Sequence, residues 1–335
     1  MKIFSKYMAV LLATGLIILL TASSKKHTTI FIIGDSTAAE KSNFQTNPER
    51  GWGMVLQGCF TENIQVDNHA VNGRSSKSFI DEGRWKNVLE KIKPGDYVFI
   101  QFGHNDEKPK PDRHTDPGTT FDENLRRFVR ETREKGGIPV LFSPVVRRNF
   151  YSKPDGNDDD EKLRNTVNDG EENINSDTLI DTHGAYRFCA QNVAKQEKCF
   201  FIDANRITHD IEQNMGVKGS RKLHMWFKPG EIKSIPKGRK DNTHYNVYGA
   251  HVVANAIADA IAKEIKDLRP YVRHYDYVVS SRGRGNYLDL QQAVDNVPSN
   301  NKKTEILVID GKWQKPNIKK GQKIKIIKYS SATIK

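Results

Sequence analysis

The chain has 335 residues, of which 36% are hydrophobic, which supports one large domain of about 200 to 250 residues plus a remainder and excludes a disordered or collagen-like polymer. Its formal charge of +12 is concentrated at the ends: residues 300–335 hold ten lysines against Glu305 and Asp310, and Lys2 and Lys6 add two more. Residues 7–299 are then close to neutral, so a basic, aromatic-interleaved nucleic-acid groove is not indicated there. The first element in the chain is an apolar run from Tyr7 to Ala22 between Lys2/Lys6 and the small residues Ser23 and Ser24. That order reads as a signal peptide over 1–24, with an uncleaved membrane anchor as the alternative, and no later stretch reaches spanning length. Export to a secreted or periplasmic location follows, with no stable membrane insertion after cleavage.

β-rich, near-continuously apolar runs then recur at Thr28–Ile33, Ile64–Asn68, Tyr97–Phe102, Ile138–Ser143 and Cys199–Asp203. Strands buried on both faces read this way. Helical spacing lies between them, at Phe121, Leu125, Phe128, Val129 and Thr132, over Ala185–Lys195 and over Val247–Leu268. Strand alternating with helix predicts a parallel sheet covered on both sides. Lys153–Asp177, rich in Asn, Asp, Glu and Gly, reads as a solvated loop; it matches no EF-hand spacing, which leaves calcium the weaker alternative. Cys59, Cys189 and Cys199 cannot all pair; buried free thiols are expected, with a Cys189–Cys199 bridge as the alternative, and no CxxC or HExxH spacing suggests zinc. Beyond Arg269-Pro270 the pattern changes to a strand at Tyr275–Ser280, a helix at Leu288–Val297 and strands at Ile306–Ile309 and Ile324–Ile327.

The chemistry-bearing residues fall at strand ends. Thr28–Ile33 runs into Gly34-Asp35-Ser36-Thr37, which presents Ser36 where open parallel sheets bind ligands, with its N–H expected at the start of a helix. A capping role for Ser36 is the simpler alternative. After the second strand comes Gly73, which lets substrate approach a backbone N–H, and after the third comes Asn105 within Gly103-His104-Asn105-Asp106. Each is open to a plainer reading as loop hinge or turn residue. Asp241 and His244, three residues apart on one loop, can meet locally, the carboxylate holding the imidazole so that its other nitrogen takes a proton from serine. Together these residues supply a nucleophile, a base, an orienting acid and three oxyanion donors, the N–H groups of Ser36 and Gly73 and the Asn105 amide.

The four blocks Gly34-Asp35-Ser36, Gly73, Gly103-His104-Asn105-Asp106 and Asp241-Asn242-Thr243-His244, in this order, resemble the SGNH or GDSL hydrolases over about residues 28–268. The resemblance implies a three-layer α/β/α sandwich of flavodoxin-like type, with Ser36, Asp241 and His244 catalytic. Gly51-Trp52-Gly53, Asn68-His69-Ala70-Val71-Asn72-Gly73-Arg74-Ser75 and Thr182-His183-Gly184 are further similar to rhamnogalacturonan acetylesterases, which deacetylate pectin. The segment 272–335, from Tyr277-Val278-Val279 through Leu290-Gln291-Gln292-Ala293-Val294 to Ile306-Leu307-Val308-Ile309, resembles the opening of a pectin methylesterase. That implies a short, incomplete β-helix-like module, marginal alone or leaning on the first domain, whose family's catalytic residues lie beyond this chain. The expected activity is acetyl removal from pectic rhamnogalacturonan by a monomer without cofactor or metal. Arg74, His183 and Trp226 are substrate-binding candidates, and the lysine-rich tail could hold polyanionic pectin. The alternatives are an acetylesterase of xylan or another glycan, or a non-catalytic pectin-binding protein.

Overall fold

The computed structural model describes residues 27–152 and 166–335, so the expected signal peptide and most of the acidic loop lie outside the described residues. Five strands, β1 (Thr28–Gly34), β2 (Ile64–Asn68), β3 (Tyr97–Gln101), β4 (Ile138–Phe142) and β5 (Phe200–Ile202), form one parallel sheet in the order β2-β1-β3-β4-β5. Side chains alternate along each strand, which explains why both faces are apolar. Ile30, Ile32, Phe99, Val140 and Phe142 pack with Trp52 and the helix Val247–Glu264 on one face. Phe31, Ile33, Val98, Ile100 and Leu141 pack on the other face with residues of the helices Thr120–Glu134 and Tyr186–Glu197. A parallel sheet with helices flanking both faces is the layered architecture the sequence predicts.

The strand order reverses at β1, since the chain goes to β2 on one side and returns to β3 on the other. Loops diverge at such a switch point and leave a crevice at the carboxyl ends of the strands. Gly34 permits the closure there, because a Cβ on it would stand 2.6 Å from the Gln101 carbonyl oxygen. One expectation needs correction, and one element is added to those predicted. Ser36 does not begin a helix: the N–H groups of Ala38 and Ala39 both turn back to the Asp35 carbonyl, and the helix that follows β1 is Trp52–Val55, so no helix dipole points at Ser36. A long helix at Ala204–Ser220, kinked at Gly216, follows β5, although its residues show no apolar helical spacing.

Beyond the sheet, β6 (Tyr277–Val279), β7 (Lys303–Val308) and β9 (Lys323–Lys328) pair in parallel, as do β8 (Gly311–Trp313) and β10 (Ala332–Ile334). Val279, Leu290, Val294, Ile306 and Val308 form a small core of their own. This segment rests on the first domain: Arg50 Nε donates to the Gly283 carbonyl at 2.9 Å, Tyr329 Oη donates to the Phe60 and Gln57 carbonyls, and Arg284 pairs with Glu40 at 2.7 Å. Cys59 and Cys189 are buried free thiols and Cys199 a half-buried one; burial pushes all three up, to about 12, 12 and 11. No helix among the described residues is long and apolar enough to cross a membrane.

His251, on the helix Val247–Glu264 and bonded to the Gly285 backbone, is buried, and burial lowers it from 6.5 to about 4. The folded chain therefore binds fewer protons than the unfolded chain between those values, and stability is lost as pH falls from 6.5 toward 4. His251→Leu is expected to flatten that part of the profile in chemical denaturation at stepped pH. A wild-type slope in the variant would contradict this.

Candidate active site

Ser36 is half-buried on the turn after β1, and its Oγ lies 2.8 Å from His244 Nε2. His244 Nδ1 is 3.1 and 3.0 Å from the two Asp241 carboxylate oxygens. Carboxylate oxygens only accept, so Nδ1 carries the proton and Nε2 is left to accept from the serine hydroxyl. The Thr243 and His244 N–H groups also donate to Asp241 Oδ1, at 3.0 and 2.9 Å, so the fully buried carboxylate is fixed by its own loop. That loop precedes the helix Val247–Glu264, capped by Asn246 through the Gly249 N–H. Sequence spacing brings Asp241 and His244 together; the fold brings them to Ser36, 208 residues away.

The other two expected positions flank β1. Gly73 follows β2 with φ +75°, a left-handed conformation that disfavours any side chain, and a Cβ there would face Arg113 Nη1. Asn105 is buried after β3, and its Nδ2 donates to the Arg74 carbonyl at 3.1 Å, which ties the two loops. Asp106 ties them again by accepting from the Ser76 N–H at 3.0 Å, Ser76 Oγ at 2.5 Å and Thr115 Oγ1 at 2.9 Å. Burial raises its carboxyl to about 7 against those bonds. Beside the serine, Asp35 is also fully buried and raised by burial, one oxygen accepting from the Thr37 N–H and hydroxyl at 2.9 and 2.7 Å.

Of the three substrate candidates, Trp226 lines a cavity of about 290 Å³ with Phe150, Tyr151, Lys240 and Asn242, the last being Asp241's neighbour. His183 is 2% exposed, with Nδ1 on Glu107 and Nε2 on the Val145 carbonyl, each at 2.9 Å. Both ring nitrogens are thus engaged inside the protein, and His183 positions loops where a sugar contact was expected. It also charges its neighbour: burial pushes Glu107 up, but Arg147 and His183 prevail and hold it at about 2. Arg74 is half-exposed and its Nε is held by Glu82 at 3.1 Å.

Two supports escape a reading of the sequence because no local period marks their contacts. Buried Lys41 donates to the Ser36 carbonyl at 2.6 Å and Asn72 Oδ1 at 2.7 Å, and pairs with Glu49 at 2.8 Å. Arg148, with no exposed surface, pairs with Glu172 and donates to Ser220 Oγ and Asn242 Oδ1, each at 2.9 Å, while its own N–H meets the Asn242 carbonyl. It clamps the Asp241–His244 loop from below. Arg148→Met is expected to cost about 3 kcal/mol, since half of a buried ion pair is removed, and to lower turnover with it. Thermal unfolding beside kinetics checks this; an unchanged midpoint would discard the clamp.

A model of the GDSL-like lipase/acylhydrolase family matches residues 32–252. The rhamnogalacturonan acetylesterase RhgT of Bacillus subtilis is 34% identical over 260 residues, 78% of this chain and 98% of that protein. A rhamnogalacturonan acetylesterase of Emericella nidulans is 37% identical over 78 residues, 23% of this chain and 28% of that one. In structure, protein YxiM of Bacillus subtilis aligns with a TM-score of 0.53 at 24% identity, over 71% of this chain and 56% of that one, a likeness of fold.

Proposed function

The chain belongs to the GDSL-like lipase/acylhydrolase family and is a carboxylic-ester hydrolase, and from that premise we propose that it removes acetyl groups from pectic rhamnogalacturonan through Ser36, His244 and Asp241. The observation that carries this is the continuous relay from Ser36 Oγ through the His244 ring to the buried Asp241 carboxylate, with contacts of 2.8 and 3.0 Å. The identity with RhgT supports the pectic substrate.

In the first step Ser36 Oγ attacks the acetyl carbonyl carbon as His244 Nε2 takes the hydroxyl proton. The carbonyl π electrons move onto oxygen, and that oxyanion is met by the N–H groups of Ser36 and Gly73 and by the second hydrogen of the Asn105 amide. Each such donor is worth about 3 kcal/mol in the transition state. The intermediate collapses when the C–O bond to the sugar breaks and His244 returns its proton to the leaving sugar oxygen. Water, deprotonated by the same nitrogen, then attacks the acetyl carbonyl; the bond from that carbon to Ser36 Oγ breaks, His244 returns the proton to Oγ, and acetate leaves. Asp241 holds the tautomer and stabilises the imidazolium in both halves. Trp226 and Arg74 are assigned to the sugar side of the site, Trp226 through its cavity.

The same proposal covers chain organisation: a signal peptide at 1–24 that directs export, an esterase domain at 28–268, and a segment at 272–335 equivalent to the first coils of a parallel β-helix. The uniformly parallel pairing of β6, β7 and β9 supports the last of these.

Acetate release from acetylated rhamnogalacturonan, with acetylated xylan alongside, tests the reading. Release is expected from the pectic polymer at a rate at least about tenfold above xylan, a margin of about 1.4 kcal/mol. Equal rates, or preference for xylan, would overturn the substrate and leave the chemistry.

A further inference from the structure

A second cavity lies far from Ser36. It occupies about 560 Å³ between the amino ends of the sheet and the turns that follow β6, β7 and β9, within the usual range of small-ligand sites. His27, which lines it, precedes β1, whereas Ser36 follows that strand, so the two sites are roughly 25 Å apart along the strand direction. Its charged lining is His27, Glu62, Arg282, Arg284, Asp310 and Lys312.

Both acids accept hydrogen bonds from neutral groups of the segment 272–335. Glu62 Oε2 accepts from the Ser330 N–H at 2.8 Å, and the Asp310 carboxylate accepts from the Ser281 N–H, Ser281 Oγ and Ser280 Oγ at 2.7, 2.7 and 2.8 Å. Arg284 is half-committed, through Glu40 at 2.7 Å. Arg282 and Lys312 are exposed and enter no ion pair among the described residues. The cleft therefore presents two cations outside any ion pair, with the exposed amide and hydroxyl groups of Gln65 and Thr333 beside them. Sugar hydroxyls hydrogen-bond to such groups, and carboxylates pair with such cations.

We propose that this cleft is a separate binding site for a polyuronate chain, in which galacturonate carboxylates pair with Arg282 and Lys312. The choice of polymer rests on the pectic reading above; the preference for a carboxylated glycan rests on the cleft alone. The segment 272–335 then acts as one wall of a glycan-binding site whose other wall is the esterase domain.

The probe is de-esterified polygalacturonate, which carries no acetyl group, in affinity electrophoresis of the full chain. Arg282→Glu/Lys312→Glu is compared with Lys302→Glu/Lys320→Glu, which changes charge equally on exposed lysines outside the cleft. Wild type is expected to be retarded, the cleft variant to bind at least about tenfold more weakly, and the outside variant to stay within about twofold of wild type. Hydrolysis of an uncharged aryl acetate should be the same in all three. No retardation of wild type, an unaffected cleft variant, or an equal loss in the outside variant would each overturn the cleft, the last by reducing it to diffuse tail charge. Cleft-dependent retardation without acetate release from rhamnogalacturonan would uphold the cleft and sink the substrate assignment.

Discussion

Ser36→Ala is expected to lower kcat on acetylated substrate by about 10⁴ or more while leaving the fold intact. The size follows from what the hydroxyl does: without it no acyl-enzyme forms, and only the oxyanion donors and substrate positioning remain to assist direct attack by water. Stability should hardly change, because the Ser36 side chain is half-buried and its bond is to His244, which keeps Asp241. A thermal midpoint within about 2 °C of wild type would exclude misfolding as the cause. Residual activity above a hundredth of wild type in a folded variant would remove Ser36 from the mechanism, as would failure of a fluorophosphonate to label Ser36 in wild type.

Asp241→Asn should cost about 10³ to 10⁴ in kcat with little change in KM, and for a different reason. The carboxylate has two acceptor oxygens, and Oδ1 takes the Thr243 and His244 N–H groups as well as facing the ring. An asparagine has one. If its oxygen stays on the two backbone donors, its NH₂ group faces His244 Nδ1, which must then accept. The ring proton moves to Nε2, and that nitrogen can no longer receive the serine proton. Substrate contacts are untouched, so the loss appears in the chemical step. A variant within tenfold of wild type would mean that the tautomer is held by something else.

What could be read in advance depended on distance along the chain. The sheet strands were legible because both of their faces are buried and the apolar run is continuous, and Asp241 with His244 because a carboxylate and an imidazole three residues apart meet without help from the fold. The helix Ala204–Ser220 was not, because its buried side carries Asn205, Thr208 and Glu212 while Ile207, Ile211 and Met215 are only partly covered, which erases the apolar stripe. β8 and β10, three residues each with exposed lysine or threonine, are too short for any period to register. Ser36 looked like a helix start because strand-turn-helix is the common sequel to a parallel strand; here 36–39 make a closed turn held on the Asp35 carbonyl. His183 stands in a motif yet has both nitrogens occupied by residues from other loops, a fact no local pattern encodes. Arg148 is of the same kind, a cation whose purpose is visible only once remote partners arrive, and Lys41 in part, through Asn72.

The separation of 208 residues between Ser36 and His244 has a consequence in time. On the proposed mechanism the nucleophile is synthesised early and its base late, on a loop set by the helix Val247–Glu264. A nascent or clipped polypeptide that stops before Asp241 then holds Ser36 with nothing to deprotonate it, and the proposal makes ester hydrolysis silent until that loop is made and the helix behind it has packed on the sheet.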